Sequence, residues 1–318
     1  MTRTRSTRLG LALAVAALAL LAAACGDSKS GSGSRPTPTP AASFPVTLDR
    51  SDGKTLTLDA APQRIVSLSP GATEIIYALG AEGSLAAVDN QADYPQAAKD
   101  FPTKVDAYQP NVEAIAGLDP DLVFVATDSD GIVAALDRLH VPVLFSDLNT
   151  VTTIDGVYDQ IRLLGRATGT SGRAEDLVAA LQARERAVTG AVADVSDGPR
   201  VYHELDSTFY TASDASFIGD LYRLLHARNI AGDGGGNPYP QLTQEAILAA
   251  NPDVIVLADE EFGVSVDSVK ARPGWDEVAA VKDNRIYGVD PDVISRPGPR
   301  IIDALETLAK DLYPEKFG

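Results

Sequence analysis

The sequence is short of the residues that build metal cages and disulfide scaffolds. Its 318 residues include one cysteine, one tryptophan, one methionine and three histidines. The lone thiol, Cys25, excludes an intramolecular disulfide and any cage of cysteine ligands. His140, His203 and His226 lie 63 and 23 residues apart, so no pair has the one-turn spacing of a helical zinc site. Positive charge is also scarce. Lys and Arg total 27 against 44 Asp and Glu, a net charge of −17. Such a chain repels phosphate backbones, so nucleic acid is excluded as an expected partner. Catalytic signatures are missing as well. There is no GxSxG, HExxH or GxxxxGK, and the GDGGGN run at 232–237 lacks the last glycine of a dinucleotide fingerprint. No catalytic residue, resident metal or cofactor is therefore assigned. A hydrolase built on a carboxylate pair stays open as an alternative, because the acids are so numerous.

What is present begins with an address. Residues 2–8 carry Arg3, Arg5 and Arg8, and residues 9–24 are apolar without a charge. A 16-residue apolar run is short for a bilayer span of about 20 residues, but it fits the core of a secretion signal. Leu21-Ala22-Ala23-Ala24-Cys25 resembles the bacterial lipoprotein signal, which implies a lipid on Cys25 and a position at the outer face of the cytoplasmic membrane. The next residues, to 43, are mostly Gly, Ser, Pro and Thr and cannot bury a core, so they read as a tether.

From Phe44 onward the pattern is that of a folding α/β chain, with 45% apolar residues overall. FPVTLDRSDGKTLTL reads as a hairpin turning at Asp52-Gly53. Short apolar strands are expected at Arg64–Leu68, Leu85–Val88, Leu122–Ala126 and Val141–Phe145. Helices are expected from Ser69 to Leu79, at Val112–Gly117 and at Ile132–Leu139. Two helical stretches follow, 152–168 and 171–194, separated by Gly169. The second would be about 36 Å long and is read as a rigid strut between two lobes. A second half then starts with a strand at Arg200–Glu204. It continues with helices at Ala215–His226 and Thr243–Ala250, strands at Val254–Leu257 and Ile286–Val289, and a last helix at Pro299–Leu312. Alternating strands and helices imply mainly parallel sheets. The predicted organisation is a signal peptide (1–24), lipidated Cys and tether (25–43), N-terminal lobe (44–169), linking helix (170–198) and C-terminal lobe (199–318).

The two halves share a segment. NVEAIAGLDPDLVFV (111–125) aligns without a gap on TQEAILAANPDVIVL (243–257), with Glu, Ala, Ile, Pro and Asp at the same offsets. Glu113 and Glu245 thereby become equivalent, one acid in each half. Either one is explained by the dipole of a helix N-terminus; the pair is not.

RIVSLSPGATEIIYALG (64–80), DYP (93–95), NVEAIAGLDPDLV (111–123), NPYPQLTQEAILAANPDVIV (237–256) and SRPGPRIIDALETLA (295–309) occur in an order that resembles the substrate-binding proteins of bacterial ABC importers for vitamin B12, ferric siderophores and haem. Among these the sequence is most similar to the vitamin B12 binder. The resemblance implies two α/β lobes joined by a long helix, with a large metal chelate captured between them by a monomeric, non-enzymatic protein. It further implies that Glu113 and Glu245 dock on a membrane permease. The matching ligand positions are Gly71, Gln91, Tyr108, Tyr239, Asp292 and Arg296. Tyr108 and Tyr239 stand where the vitamin B12 binder has Trp, and Gln91 where it has an aromatic residue. Asp292 and Arg296, four residues apart, are expected to pair with each other or with ligand amides and carboxylates. His203 and Glu204 end a strand that this fold aims at the cleft. Tyr94 and Trp275 read as packing residues. Haem is the alternative cargo. A bare metal ion is disfavoured by the scattered histidines.

Overall fold

The computed structural model describes residues 44–317. The signal, Cys25 and the tether therefore lie outside the described residues. Within them the chain forms an antiparallel hairpin and two all-parallel sheets. The hairpin is β1 (Val46–Asp49) and β2 (Thr55–Leu58), paired Val46 to Leu58. The first sheet holds β3 (Ile65–Leu68), β4 (Leu85–Asp89), β5 (Lys104–Val105), β6 (Leu122–Val125) and β7 (Val143–Phe145), in the order β5-β4-β3-β6-β7. The second holds β8 (Arg200–Glu204), β9 (Arg228–Asn229), β10 (Val254–Leu257) and β11 (Ile286–Gly288), in the order β11-β10-β8-β9. Read from the other edge, β9-β8-β10-β11 repeats the order of β4-β3-β6-β7. The central strands β3, β6 and β10 are buried at every position. This follows from their runs of Ile, Val, Leu and Phe, interrupted only by the buried Ser67 in β3, as helices cover both faces of a parallel sheet.

The helices are α1 (Pro70–Ala78), α2 (Gln96–Lys99), α3 (Val112–Ala116), α4 (Ile132–Arg138), α5 (Ile154–Thr168), α6 (Ser171–Ala191) and α7 (Phe217–Leu224), then α8 (Gln244–Ala250), α9 (Val266–Lys270), α10 (Ala279–Lys282), α11 (Pro291–Ser295), α12 (Ile301–Leu312) and α13 (Pro314–Phe317). Gly169 caps α5 in the left-handed conformation, at φ +75°, which glycine adopts without a steric penalty.

The strut exists but is shorter than its sequence pattern suggests. α6 ends at Ala191 rather than 194. There, Val192 and Ala193 bond back three residues, to Thr189 and Gly190. Such tightening satisfies the last carbonyls where Gly190 and the β-branched Val192 weaken the helix. At 21 residues it spans about 32 Å. It is tied to both lobes. Arg173 donates to the Leu79 and Gly80 carbonyls at the end of α1 (3.0 and 3.1 Å). Arg184 forks onto Glu306 of α12 (2.9 Å twice) and reaches Asp303 at 2.6 Å. Ala174, Val178, Leu181 and Val188 form its buried stripe.

Other boundaries also move. The helix expected from Pro299 starts at Ile301 as α12, after a turn at 299–300, a short α13 follows it, and β7 starts at Val143. Helices of four or five residues and two-residue strands, such as α2, β5, β9 and α9–α11, carry too few positions to show a period.

Candidate functional site

Ligands of parallel α/β sheets bind beyond the carboxyl ends of the strands. Three neighbouring cavities lie there. The first, about 370 Å³, is walled by Asn149, Val151 and Thr152 after β7 and by Ser216, Phe217 and Tyr239 of the second lobe. The second, about 180 Å³, touches Ser69, Pro70, Asp89, Gln91 and Tyr108, and shares Leu148 with the first. The third, about 460 Å³, is bounded by Asp93, Lys104, Phe262, Asp292 and Arg296, and shares Gln91 with the second. The shared residues make one groove, running between the lobes.

Five of the six expected ligand positions are on its walls: Gln91, Tyr108, Tyr239, Asp292 and Arg296. Tyr108 is 75% exposed and Tyr239 47%. Gly71 is different. It is buried, and a Cβ there would lie 2.9 Å from the Pro297 carbonyl of the opposite lobe. It thus allows the two lobes to approach and stands behind the groove wall.

Charge at the third cavity is nearly cancelled. Arg296, just after α11, pairs with Asp292 of that helix at 2.7 Å and with Asp93 of the first lobe. Burial, then the neighbouring Asp93, pushes Asp292 up to about 6. Asp93 goes the other way. Burial works against its ionisation, but the bonds to Arg296 and Asp292 outweigh that and lower it. Lys104 donates to the Ala92 and Ala98 carbonyls, both at 2.7 Å, and burial lowers its pKa.

Behind the groove is a pair that sequence reading missed. Glu74 of α1 is 3% exposed and takes both Arg300 donors, at 2.9 and 2.6 Å. The Tyr94 ring covers the Arg300 guanidinium at 4.3 Å. The one available signal was a carboxylate inside the apolar run of SPGATEIIYA.

His203 and Glu204 do not reach the groove; both are fully buried. β8 continues inward because its tip is covered by Arg272 and by the Phe209–Trp275 stack. His203 Nδ1 lies 2.7 Å from the Tyr222 hydroxyl, and burial pushes its imidazole down to about 3. Glu204 accepts from both terminal nitrogens of Arg272, at 2.6 and 2.5 Å. Asp259, just after β10, is fully buried beside them. Burial, then Glu204, pushes it up to about 7. Trp275 is fully buried, with its ring 4.6 Å below the Arg272 guanidinium.

Glu113 and Glu245 are exposed, each second in its helix. Their helices are capped alike. The Asn111 side chain accepts from Ala114 N–H at 2.8 Å and the Thr243 hydroxyl from Ala246 N–H at 3.2 Å. Among the described residues, no three His, Cys, Asp or Glu side chains converge where a metal ion could be held, and no helix is long and apolar enough to cross a membrane.

Two parallel-sheet lobes, a rod bound to both and a groove between them define a two-lobed α/β solute-binding protein. Residues 65–293 match the periplasmic binding protein family, and the chain belongs to it. It is similar to the ABC transporter substrate-binding lipoprotein YvrC of Bacillus subtilis, at 35% identity over 86% of this chain and 87% of that one. A cobalamin-binding protein of Halobacterium salinarum is 32% identical, over 86% of this chain and 75% of the other. Among solved structures, a possible iron-binding periplasmic solute-binding protein of Staphylococcus epidermidis superposes with a TM-score of 0.70 at 30% identity, over 80% of this chain and all of that one.

Proposed function

We propose that this protein captures a large metal chelate, a corrinoid or a ferric siderophore, in the interlobe groove and delivers it to an ABC permease without transforming it. The observation that carries the reading is the groove itself. Two exposed tyrosines wall it, and the arginine on it is already neutralised by Asp93 and Asp292. Flat phenol faces suit a broad ligand with apolar surface. A neutralised cation favours amide-bearing cargo over the anionic catecholate complexes that a free basic cluster would attract. The cobalamin-binding relative supports the corrinoid side of this reading and the possible iron-binding neighbour the siderophore side.

Haem is the second reading. No His or Met borders the three cavities, so an axial ligand would fall to a tyrosine hydroxyl. Ligand contact is assigned to Gln91, Tyr108, Tyr239, Asp292 and Arg296, with Gly71 as the spacer beneath them. Glu113 and Glu245 are the permease-docking acids. Residues 44–169 and 199–318 are the lobes and 170–198 the link. The chain acts as a monomer anchored through lipidated Cys25 at the outer face of the cytoplasmic membrane, and the relative named a substrate-binding lipoprotein supports this.

The test is titration of the purified protein with cyanocobalamin, haemin, a ferric hydroxamate and a ferric catecholate, followed by protein fluorescence and visible absorption. Saturable binding of cyanocobalamin or the hydroxamate, lost in Tyr239→Ala, is expected. Binding of none of the four would overturn the proposal, and turnover of any of them would revive the enzyme reading.

A further inference from the structure

Phe262 is 80% exposed, more than any other large apolar side chain reported among the described residues. A single exposed phenyl ring needs no explanation by itself; the turn that carries this one and its place in the groove are what bear on its role. It sits on a 3₁₀ turn, Glu260–Phe262, that follows the buried Asp259. Phe262 N–H donates to the Asp259 carbonyl at 2.9 Å and Gly263 N–H to that of Glu260 at 3.0 Å. Gly263 closes the turn at φ +94°, a conformation that favours glycine. The Glu260 carboxylate lies over Gly288 of β11, where any Cβ would collide with it. The hydrogen-bonded turn thus sets where the Phe262 backbone sits, and the ring it carries is exposed to solvent.

Its place is the second observation. Phe262 borders the cavity of Asp93, Asp292 and Arg296, whereas Tyr239 borders the cavity at the other end of the groove. Tyr108 lies on the cavity between them. Phenylalanine can neither hydrogen-bond a polar rim nor ligate a metal. What it offers is an apolar face.

We infer that Phe262 is a cargo-contacting, specificity-determining residue, packing on an apolar face of the bound chelate at the Arg296 end of the groove. It selects cargo broad enough to reach from Tyr239 to Phe262. This rests on the cargo reading above and adds to it a size and surface criterion.

The full chain, purified in detergent, is titrated calorimetrically with cyanocobalamin, haemin and ferrioxamine B. Whichever binds the unmodified protein most tightly should bind Phe262→Ala on the order of tenfold more weakly, as burying a phenyl ring predicts. Phe262→Tyr should stay within about twofold, since it keeps the ring. In Phe262→Trp the new indole should be quenched by the absorbing cargo. Unchanged affinity in Phe262→Ala, with its thermal midpoint intact and Tyr239→Ala impaired, overturns this inference and leaves the cargo reading standing. So does unchanged affinity accompanied by lost uptake, which would assign the ring to the permease. Failure of the unmodified protein to bind any of the three, and a ferric catecholate as well, defeats both.

Discussion

Arg300 grips Glu74 across the two lobes, its guanidinium donating to both carboxylate oxygens at 2.9 and 2.6 Å under the ring of Tyr94. The Glu74 side chain is 2% exposed and that of Arg300 15%. A buried pair of this kind adds little net stability over an apolar substitute, but removing one partner strands a charge. Glu74→Ala should therefore cost about 3–5 kcal/mol in urea unfolding, and Glu74→Leu with Arg300→Leu should recover part of it. With this clamp beside the α6 rod, cargo should close the lobes only slightly. Small-angle scattering with and without cargo tests that, and a large compaction would contradict it.

Asp259 and Asp292 are among the acids whose raised values make stability fall as pH rises. Asp259 stands at about 7 and Asp292 at about 6, both from 3.8. Between the unfolded and folded values the folded chain holds the proton and the unfolded chain does not. The stabilisation is complete below pH 3.8 and is lost as pH climbs through about 6 for Asp292 and about 7 for Asp259. The groups around Asp259 are Glu204, Tyr202 and Arg272. Asp259→Asn keeps the neutral form, so its thermal midpoint should decline less than that of the unmodified protein between pH 5 and about 7.5. Parallel curves would show that Asp259 ionises freely.

The repeat was legible because its devices are local. Asp119 and Asn251 take positive φ, +50° and +45°, at the same offset from Glu113 and Glu245. The two Pro-Asp carboxylates do the same work. Asp121 accepts from the N–H groups of Gln63 and Arg64, and Asp253 from that of Arg200, each at the start of the neighbouring strand. The parallel sheets followed from short apolar runs between helices; the order of strands within them was not read from the sequence. The clamp was not legible, since 226 residues separate its partners and neither one breaks a local pattern. Nor was the inward turn of His203 and Glu204, which depends on Arg272, 68 residues on from Glu204. Phe262 escaped because its turn is too short for periodicity and its exposure is a tertiary fact.

Glu113 and Glu245 occupy matching first-turn stations on α3 and α8, exposed and away from the groove walls. Charges so placed steer a partner more than they hold it. Glu113→Arg with Glu245→Arg should leave cargo affinity within about twofold and cost no more than about 2 kcal/mol of stability, the scale of two reversed helix-dipole contacts. Uptake through the permease, measured with labelled cargo in cells lacking the native copy, should fall by tenfold or more on the order-of-magnitude scale of lost ion pairs. Normal uptake in the double variant would remove the docking role.

Gly71 makes the most economical test of how closely the lobes must meet. α1 starts at Pro70, with the Ser69 hydroxyl accepting from Ala72 N–H at 3.2 Å, so its first turn is fixed. A Cβ on Gly71 would then stand 2.9 Å from the Pro297 carbonyl oxygen, a backbone atom with no rotamer to escape into. Either α1 retreats or the 295–300 segment does, and both carry clamp or groove residues. Gly71→Ala should cost about 1–3 kcal/mol, as overpacking does. Gly71→Val should cost more and also weaken cargo binding, because the shift displaces Arg296 from Asp93. Urea unfolding and calorimetric titration of both variants separate the two effects. Full stability in Gly71→Val would mean that the lobes can stand further apart.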